Sequence, residues 1–236
     1  MRTSAPKLRI PSQNVRFFRA ATREAGALLR LATLLPYDLP ASVPVAVRAG
    51  DDVAVLVHGS LATAGAWRPL RRRLEARGAS VVTFTYGPGS GVREIAAEIA
   101  TVLGRVPLGA RVHLVGHSLG GLAVRWYVQE LPHDPRVVRT ISVAAPFDGA
   151  RGAWLFPGPA GRDMQRGSAA LARLAETAGF AGVPHLSIYG TADTAVATST
   201  SFPVGDRLVV ADAGHNTLLF DDAVVNRIVT EISTRN

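Results

Sequence analysis

The sequence predicts an α/β protein, a three-layer α/β/α sandwich around a mostly parallel sheet of about six strands. Three observations carry that expectation. Six short runs rich in Val, Ile and Leu are apolar with little interruption, the pattern of strands covered on both faces. Longer stretches with apolar residues at steps of three and four separate them, and such alternation builds parallel sheets through right-handed crossovers. The 236 residues, 47% hydrophobic and 19% charged, suit one domain with a sizeable core.

In chain order, a basic arm over 1–40 precedes the α/β domain at 41–236. Within residues 1–35, Arg2, Lys7, Arg9, Arg16, Arg19, Arg23 and Arg30 face a single acid, Glu24, so most of the net charge of +8 sits in the arm. Phe18, Ala21, Ala25, Leu28, Ala32 and Leu35 recur at helical spacing, while Arg16, Arg23 and Arg30 form a stripe on another face. Two readings follow. The helix packs on the domain with its arginines in water, or it lies on an anionic membrane surface. Arg30 interrupts the most apolar part, which argues against a signal peptide, and no run reaches the ~18 apolar residues of a membrane span. A cytoplasmic protein is expected, with peripheral membrane contact through the arm as the open alternative. No basic stripe interleaved with aromatics points to nucleic acid.

After the Pro-rich PYDLPASVP, DVAVLVHG reads as the first strand and 64–77 as a helix. SVVTFTYG is the second strand, followed by a helix over 91–104. RVHLVGHS is the third, leading into a helix over 119–130. RTISVAAP is the fourth, and 168–177 is helical. PHLSIYG and RLVVADAGH are the fifth and sixth strands, and 221–234 closes the chain as a helix.

The chemistry gathers at the carboxyl ends of these strands, where open α/β sheets bind ligands. Ser118 lies in GHSLGG, directly after the third strand and before its helix. So tight a strand-to-helix turn strains the central residue and exposes its hydroxyl, with glycines leaving room for the two elements to meet. Ser118 is therefore the candidate nucleophile, and the Leu119 amide at the helix start is aimed at the same point. Of six histidines, His215 follows the sixth strand in a loop at that edge and is the candidate base. Asp193, just past the fifth strand, is the candidate acid, with Asp148 after the fourth strand as its rival. A second oxyanion donor is expected after the first strand, where Gly59 lets the backbone bend and the Ser60 amide follows. With no cysteine, a disulfide, a thiolate metal site and a cysteine nucleophile are all excluded. No set of metal ligands has a recognisable spacing.

Together HG after the first strand, GHSLGG, AAPFDG, DMQRGSAALARL, Asp193 after YG, and GHNTLLFDD resemble the α/β-hydrolase superfamily, specifically small bacterial lipases and esterases of the triacylglycerol lipase type. The resemblance runs from about Val53 to the last helix and leaves the arm outside. It implies a minimal form of that fold without the opening antiparallel hairpin. It also implies cofactor-free hydrolysis of ester or lipid substrates, with Ser118 as nucleophile, His215 as base, Asp193 as acid, and Ser60 and Leu119 as oxyanion donors. The same scaffold serves thioesterases and acyltransferases, and a non-catalytic binding protein is the alternative from another class. The segment GARGAWLFPGPAGRD is the expected cap. Trp154, Leu155 and Phe156 in it either line the acyl site or tuck the loop onto the body.

Overall fold

The computed structural model describes residues 13–39, 41–42, 47–196 and 202–234, the first four of them as backbone only. Six strands form one sheet: β1 (Asp52–Val57), β2 (Ser80–Phe84), β3 (Arg111–His117), β4 (Val137–Val143), β5 (His185–Gly190) and β6 (Asp206–Val210), in the order β2-β1-β3-β4-β5-β6. Every pairing between them is parallel. The one antiparallel pairing among the described residues is an isolated bridge from Ser42 to Thr83 on β2. No opening hairpin precedes β1 there.

Among the described residues seven helices complete the layers: α1 (Gln13–Leu34), α2 (Arg68–Glu75), α3 (Val92–Leu103), α4 (Leu119–Glu130), α5 (Gly158–Asp163), α6 (Ala169–Glu176) and α7 (Asp222–Ser233). Successive β1 side chains point to opposite faces. Val53, Val55 and Val57 pack with α3, α4, α5 and α6, whereas Ala54 and Leu56 pack with α2 and α7. The α/β/α sandwich expected from the unbroken apolar runs is what the chain forms.

Local chemistry sets the helix starts. The Glu94 carboxylate accepts from the Gly91 N–H at 2.6 Å, and the Asp163 carboxylate accepts from the Val92 N–H at 2.8 Å, so the first turn of α3 is satisfied from both sides. Ser168 and Asp221 cap α6 and α7 through the amides of Leu171 and Ala223.

Three elements differ from the sequence expectation. The helix expected over 64–77 begins as a 3-10 turn, Ala64–Trp67, before Pro69 opens α2. Helix α5 arises in the cap segment, where Gly158 and Pro159 read as loop but sit at a helix start, where proline is tolerated. Strand β6 is partly exposed, since it lies at the sheet edge, and the chain leaves it at Val210.

The largest difference concerns the arm. Helix α1 does lie on the domain, but by Ala20, Glu24, Ala27, Leu31 and Leu34, not by the face of Phe18, Ala21, Ala25 and Leu28, which is exposed. Leu31 joins the α2–α7 side of the core. Near its C-terminus the helix comes so close to the 3-10 turn that a Cβ on Gly65 would stand 2.0 Å from the Leu34 carbonyl oxygen. The arginines are not a lipid-facing stripe either. Arg23 pairs with Asp221 at 2.9 Å, and the Arg30 guanidinium sits 4.5 Å above the Phe220 ring. Membrane contact through that stripe is thus not supported, because Arg23 and Arg30 hold the helix to the body. Arg2, Lys7 and Arg9 lie outside the described residues, as does the side chain of Arg16. Among the described residues, no helix is long and apolar enough to cross a membrane.

Candidate active site

The site forms where β1 and β3, neighbours in the sheet, send their following segments in different directions. Ser118 stands between β3 and α4 at φ 51°, ψ −121°, a backbone conformation that costs a non-glycine residue about 1–3 kcal/mol. The surroundings hold it there. Its own N–H donates to the Val143 carbonyl at 2.8 Å, and its carbonyl accepts from Gly121 at 2.9 Å. Two glycines make the crossing possible. A Cβ on Gly116 would stand 2.2 Å from the Gly120 carbonyl oxygen, and one on Gly120 would stand 2.4 Å from that of His58. Strand and helix therefore meet closer than any side chain allows.

The candidate acid and base are joined directly. Nδ1–H of His215 donates to Oδ2 of Asp193 at 2.8 Å, and Oδ1 of Asp193 accepts from the amides of Ala195 at 2.9 Å and Val196 at 2.8 Å. Three donors satisfy this carboxylate, whose side chain is 1% exposed, while that of His215 is 17% exposed. With its proton on Nδ1, His215 carries a lone pair on Nε2, the state a general base requires. The rival acid lies elsewhere: Asp148 is half-exposed and paired with Arg166.

Other histidines serve the frame. His113 bonds to Asp52 at 2.9 Å, and His185 is buried beside Thr140 and Ser142. His117, the middle of GHS, is more consequential than its place in the motif suggests. Its Nε2–H donates to the carbonyl of His215 at 3.2 Å, and the two rings lie 4.9 Å apart. The Ser118 turn and the His215 loop are thereby tied together. Burial pushes the His117 imidazole down to about 3, helped by the nearby His215, so it stays neutral and keeps a donor for that carbonyl. Among the described residues the Ser118 hydroxyl makes no hydrogen bond to His215, a contact that in ligand-free sites often tightens only once substrate is bound.

The segment after β1 folds onto the serine. A Cβ on Gly59 would fall 3.2 Å from Cβ of Ser118, so the backbone just before Ser60 runs close to that serine. His58 sets the path of this segment. Its ring stacks on Tyr86 at 3.9 Å, its Nδ1–H donates to the Gly59 carbonyl at 2.7 Å, and its Nε2 accepts from the Tyr86 N–H at 3.2 Å. Burial lowers His58 to about 4, which keeps that acceptor nitrogen unprotonated. Among the described residues neither the Ser60 nor the Leu119 amide has an intrachain acceptor. The sequence signal for His58 and His117 was available: each is a histidine at the carboxyl end of a neighbouring strand.

Beside His215 opens a cavity of about 590 Å³, walled by the Asp193 loop and, across from it, by α1. Trp154, Leu155 and Phe156 are not among its lining residues; Arg151, from the same segment, is. Trp154 and Leu155 are 76% and 68% exposed, whereas Phe156 leans on the core beside α3–α6. Tucking the loop down thus falls to Phe156.

Comparison with known proteins agrees with this frame. A family model described as the alpha/beta hydrolase family matches residues 54–199, a span holding Ser118 and Asp193 and ending before His215. The lipase BlEst2 of Bacillus licheniformis, in its mature form, superposes with a TM-score of 0.69 at 16% identity, over 83% of this chain and 97% of its own. The monoacylglycerol lipase of Paleococcus ferrophilus gives 0.62 at 19% identity, over 78% and 96%. An esterase from Exiguobacterium antarcticum gives 0.57 at 13%, over 79% and 94%. No curated protein matches the sequence. At such identities the superpositions speak for the fold.

Proposed function

The chain belongs to the alpha/beta hydrolase family, and on that premise we propose that it is a serine hydrolase that cleaves carboxylic esters. The observation that carries the proposal is the Asp193–His215 pair, whose loop is tied through His117 to the strained strand-to-helix turn of Ser118. The activities named for its structural neighbours, lipase and esterase, support an ester or lipid substrate.

In the proposed mechanism His215 Nε2 takes the hydroxyl proton of Ser118 as Oγ attacks the ester carbonyl carbon. Negative charge moves to the carbonyl oxygen, where the Ser60 and Leu119 amides donate to it. Collapse breaks the bond to the alcohol oxygen, which leaves with the proton from His215. Water then gives a proton to the same nitrogen and attacks the acyl carbon. Collapse of that second intermediate frees the acid and returns the proton to Ser118. Asp193 keeps the imidazole in the required tautomer and stabilises it when charged.

The test uses wild type and Ser118→Ala with a fluorophosphonate probe and p-nitrophenyl esters from acetate to palmitate. Wild type is expected to label and turn over, and the variant to do neither. Folded wild type that neither labels nor cleaves any ester overturns the proposal. The oxyanion assignment has its own test. Ser60→Ala retains the amide and is expected to keep most activity, whereas Ser60→Pro removes it and loses about 10²–10³ in kcat. Equal rates for the two variants remove Ser60 from the role.

A further inference from the structure

Glu24 is the only acid in helix α1, and it does not pair with the arginines of that helix among the described residues. Its carboxylate reaches across to the residues that follow His215. Oε1 accepts from the N–H and Nδ2 of Asn216, both at 2.8 Å. Oε2 accepts from the N–H of Thr217 at 3.0 Å and its hydroxyl at 2.8 Å. The carboxylate thus caps the 3-10 turn Thr217–Phe220, whose first amides lack partners in the turn itself. The fit is close. A Cβ on Gly214, the residue before His215, would stand 2.4 Å from Glu24 Oε2. Both sides of the candidate base are therefore shaped around a residue of α1.

The same helix walls the cavity. Ala21, Ala25 and Leu28 face it on one side, and Asp193 and His215 on the other. These are the residues whose periodicity marked an apolar face, and they are exposed because that face looks into open space rather than onto the body. On the α1 side the one charged lining group is Glu24, whose oxygens are occupied by the His215 loop. The two alanines leave a lane, and the volume of about 590 Å³ lies within the range of small-molecule sites. Arg151, Asp193 and Asp212 put charge on the other side, and Ser118 is not among the lining residues; the apolar α1 wall facing His215 suits a hydrocarbon chain running on from the ester carbonyl.

We propose that α1 is the acyl-binding wall of the site, with Glu24 as the positioning residue that holds it to the His215 loop and Ala21, Ala25 and Leu28 as specificity-determining contacts for an acyl chain of medium length. This inference rests on the ester-hydrolase reading. Ala25→Trp fills the lane from an exposed helix position, and Ala21→Trp does the same from one turn earlier. Each is expected to lower the ratio of kcat/KM for p-nitrophenyl dodecanoate to that for the acetate by about 30-fold, mainly through KM for the dodecanoate. Calorimetric binding of dodecanoate is expected in wild type and lost in both variants.

The outcomes separate the two claims. Dodecanoate binding that Ala25→Trp abolishes upholds the wall even in a protein that cleaves no ester. Acetate turnover with an unchanged chain-length profile and unchanged dodecanoate binding in both variants overturns the wall and leaves the hydrolase reading standing. Absence of both binding and turnover in wild type overturns both. Glu24→Gln is expected to lower kcat about tenfold for short and long esters alike, with KM for acetate unchanged. The downfield Nδ1–H resonance of His215 should broaden in that variant. An unchanged kcat and a sharp resonance overturn the positioning role.

Discussion

Asp193→Asn is expected to lower kcat by about 10⁴ while leaving the melting temperature nearly unchanged. Oδ1 of Asp193 is engaged by two amides, Ala195 and Val196, and each must donate to an oxygen. In the variant the side-chain carbonyl stays with them, so the NH₂ group has to face Nδ1 of His215. That nitrogen must then accept rather than donate, which moves the imidazole proton to Nε2. The atom that should take the Ser118 proton already carries one. Packing barely changes, because asparagine has the shape of aspartate. Steady-state kinetics on p-nitrophenyl esters with a thermal melt of each protein provide the check. A loss smaller than tenfold would remove Asp193 from the mechanism.

The second large effect concerns acid. Four histidines are buried and held neutral in the folded protein: His58 at about 4, His117 at about 3, and His113 and His185 shifted the same way. Burial is the main cause in each. For His113 it outweighs the pull of Asp52, with Arg111 and Arg139 opposing charge as well, and Arg125 adds to it for His185. Below the ordinary histidine value of 6.5 the unfolded chain takes up protons that the folded chain refuses. Stability is therefore fully present above about pH 6.5 and is lost as the pH falls toward the folded values. Each histidine contributes up to about 1.4 kcal/mol per pH unit in that window. Urea midpoints are expected to drop steeply between pH 6.5 and 4, and His58→Gln to flatten the slope by up to one proton. A midpoint that stays constant from pH 7 to 5 would contradict this account.

Much of the site was legible because its chemistry is local. The strain at Ser118 follows from a serine confined between a strand and a helix, and the close approach shows as glycines at 116 and 120. The strands were legible for a similar reason, since burial on both faces leaves a run of apolar residues with little alternation. Where burial was partial, as at the edge strand β6, the sequence reading overran the end of the strand. Asp193 and Asp148 could be ranked by chain order, but only their partners tell them apart. One meets His215 and the other Arg166. In the Trp154 segment, large apolar residues on a loop show that something apolar is near, not which residue turns to it: Phe156 meets the core, while Trp154 and Leu155 are exposed.

Helix α1 marks the boundary most sharply. Its sequence determined that a helix forms and that Phe18, Ala21, Ala25 and Leu28 share a face, since a period of 3.6 is a property of the chain itself. What each face meets depends on residues nearly two hundred positions away. Glu24, read as a single acid among bases, is where the helix grips the His215 loop, and the face read as its anchor is the one left open beside His215. By itself the sequence determined the sheet, the crossing at Ser118 and the residue types that the chemistry needs. The tertiary structure alone decided which carboxylate meets the imidazole and which face of α1 is buried. Those choices are made by hydrogen bonds and close contacts between distant segments, and no local pattern records them.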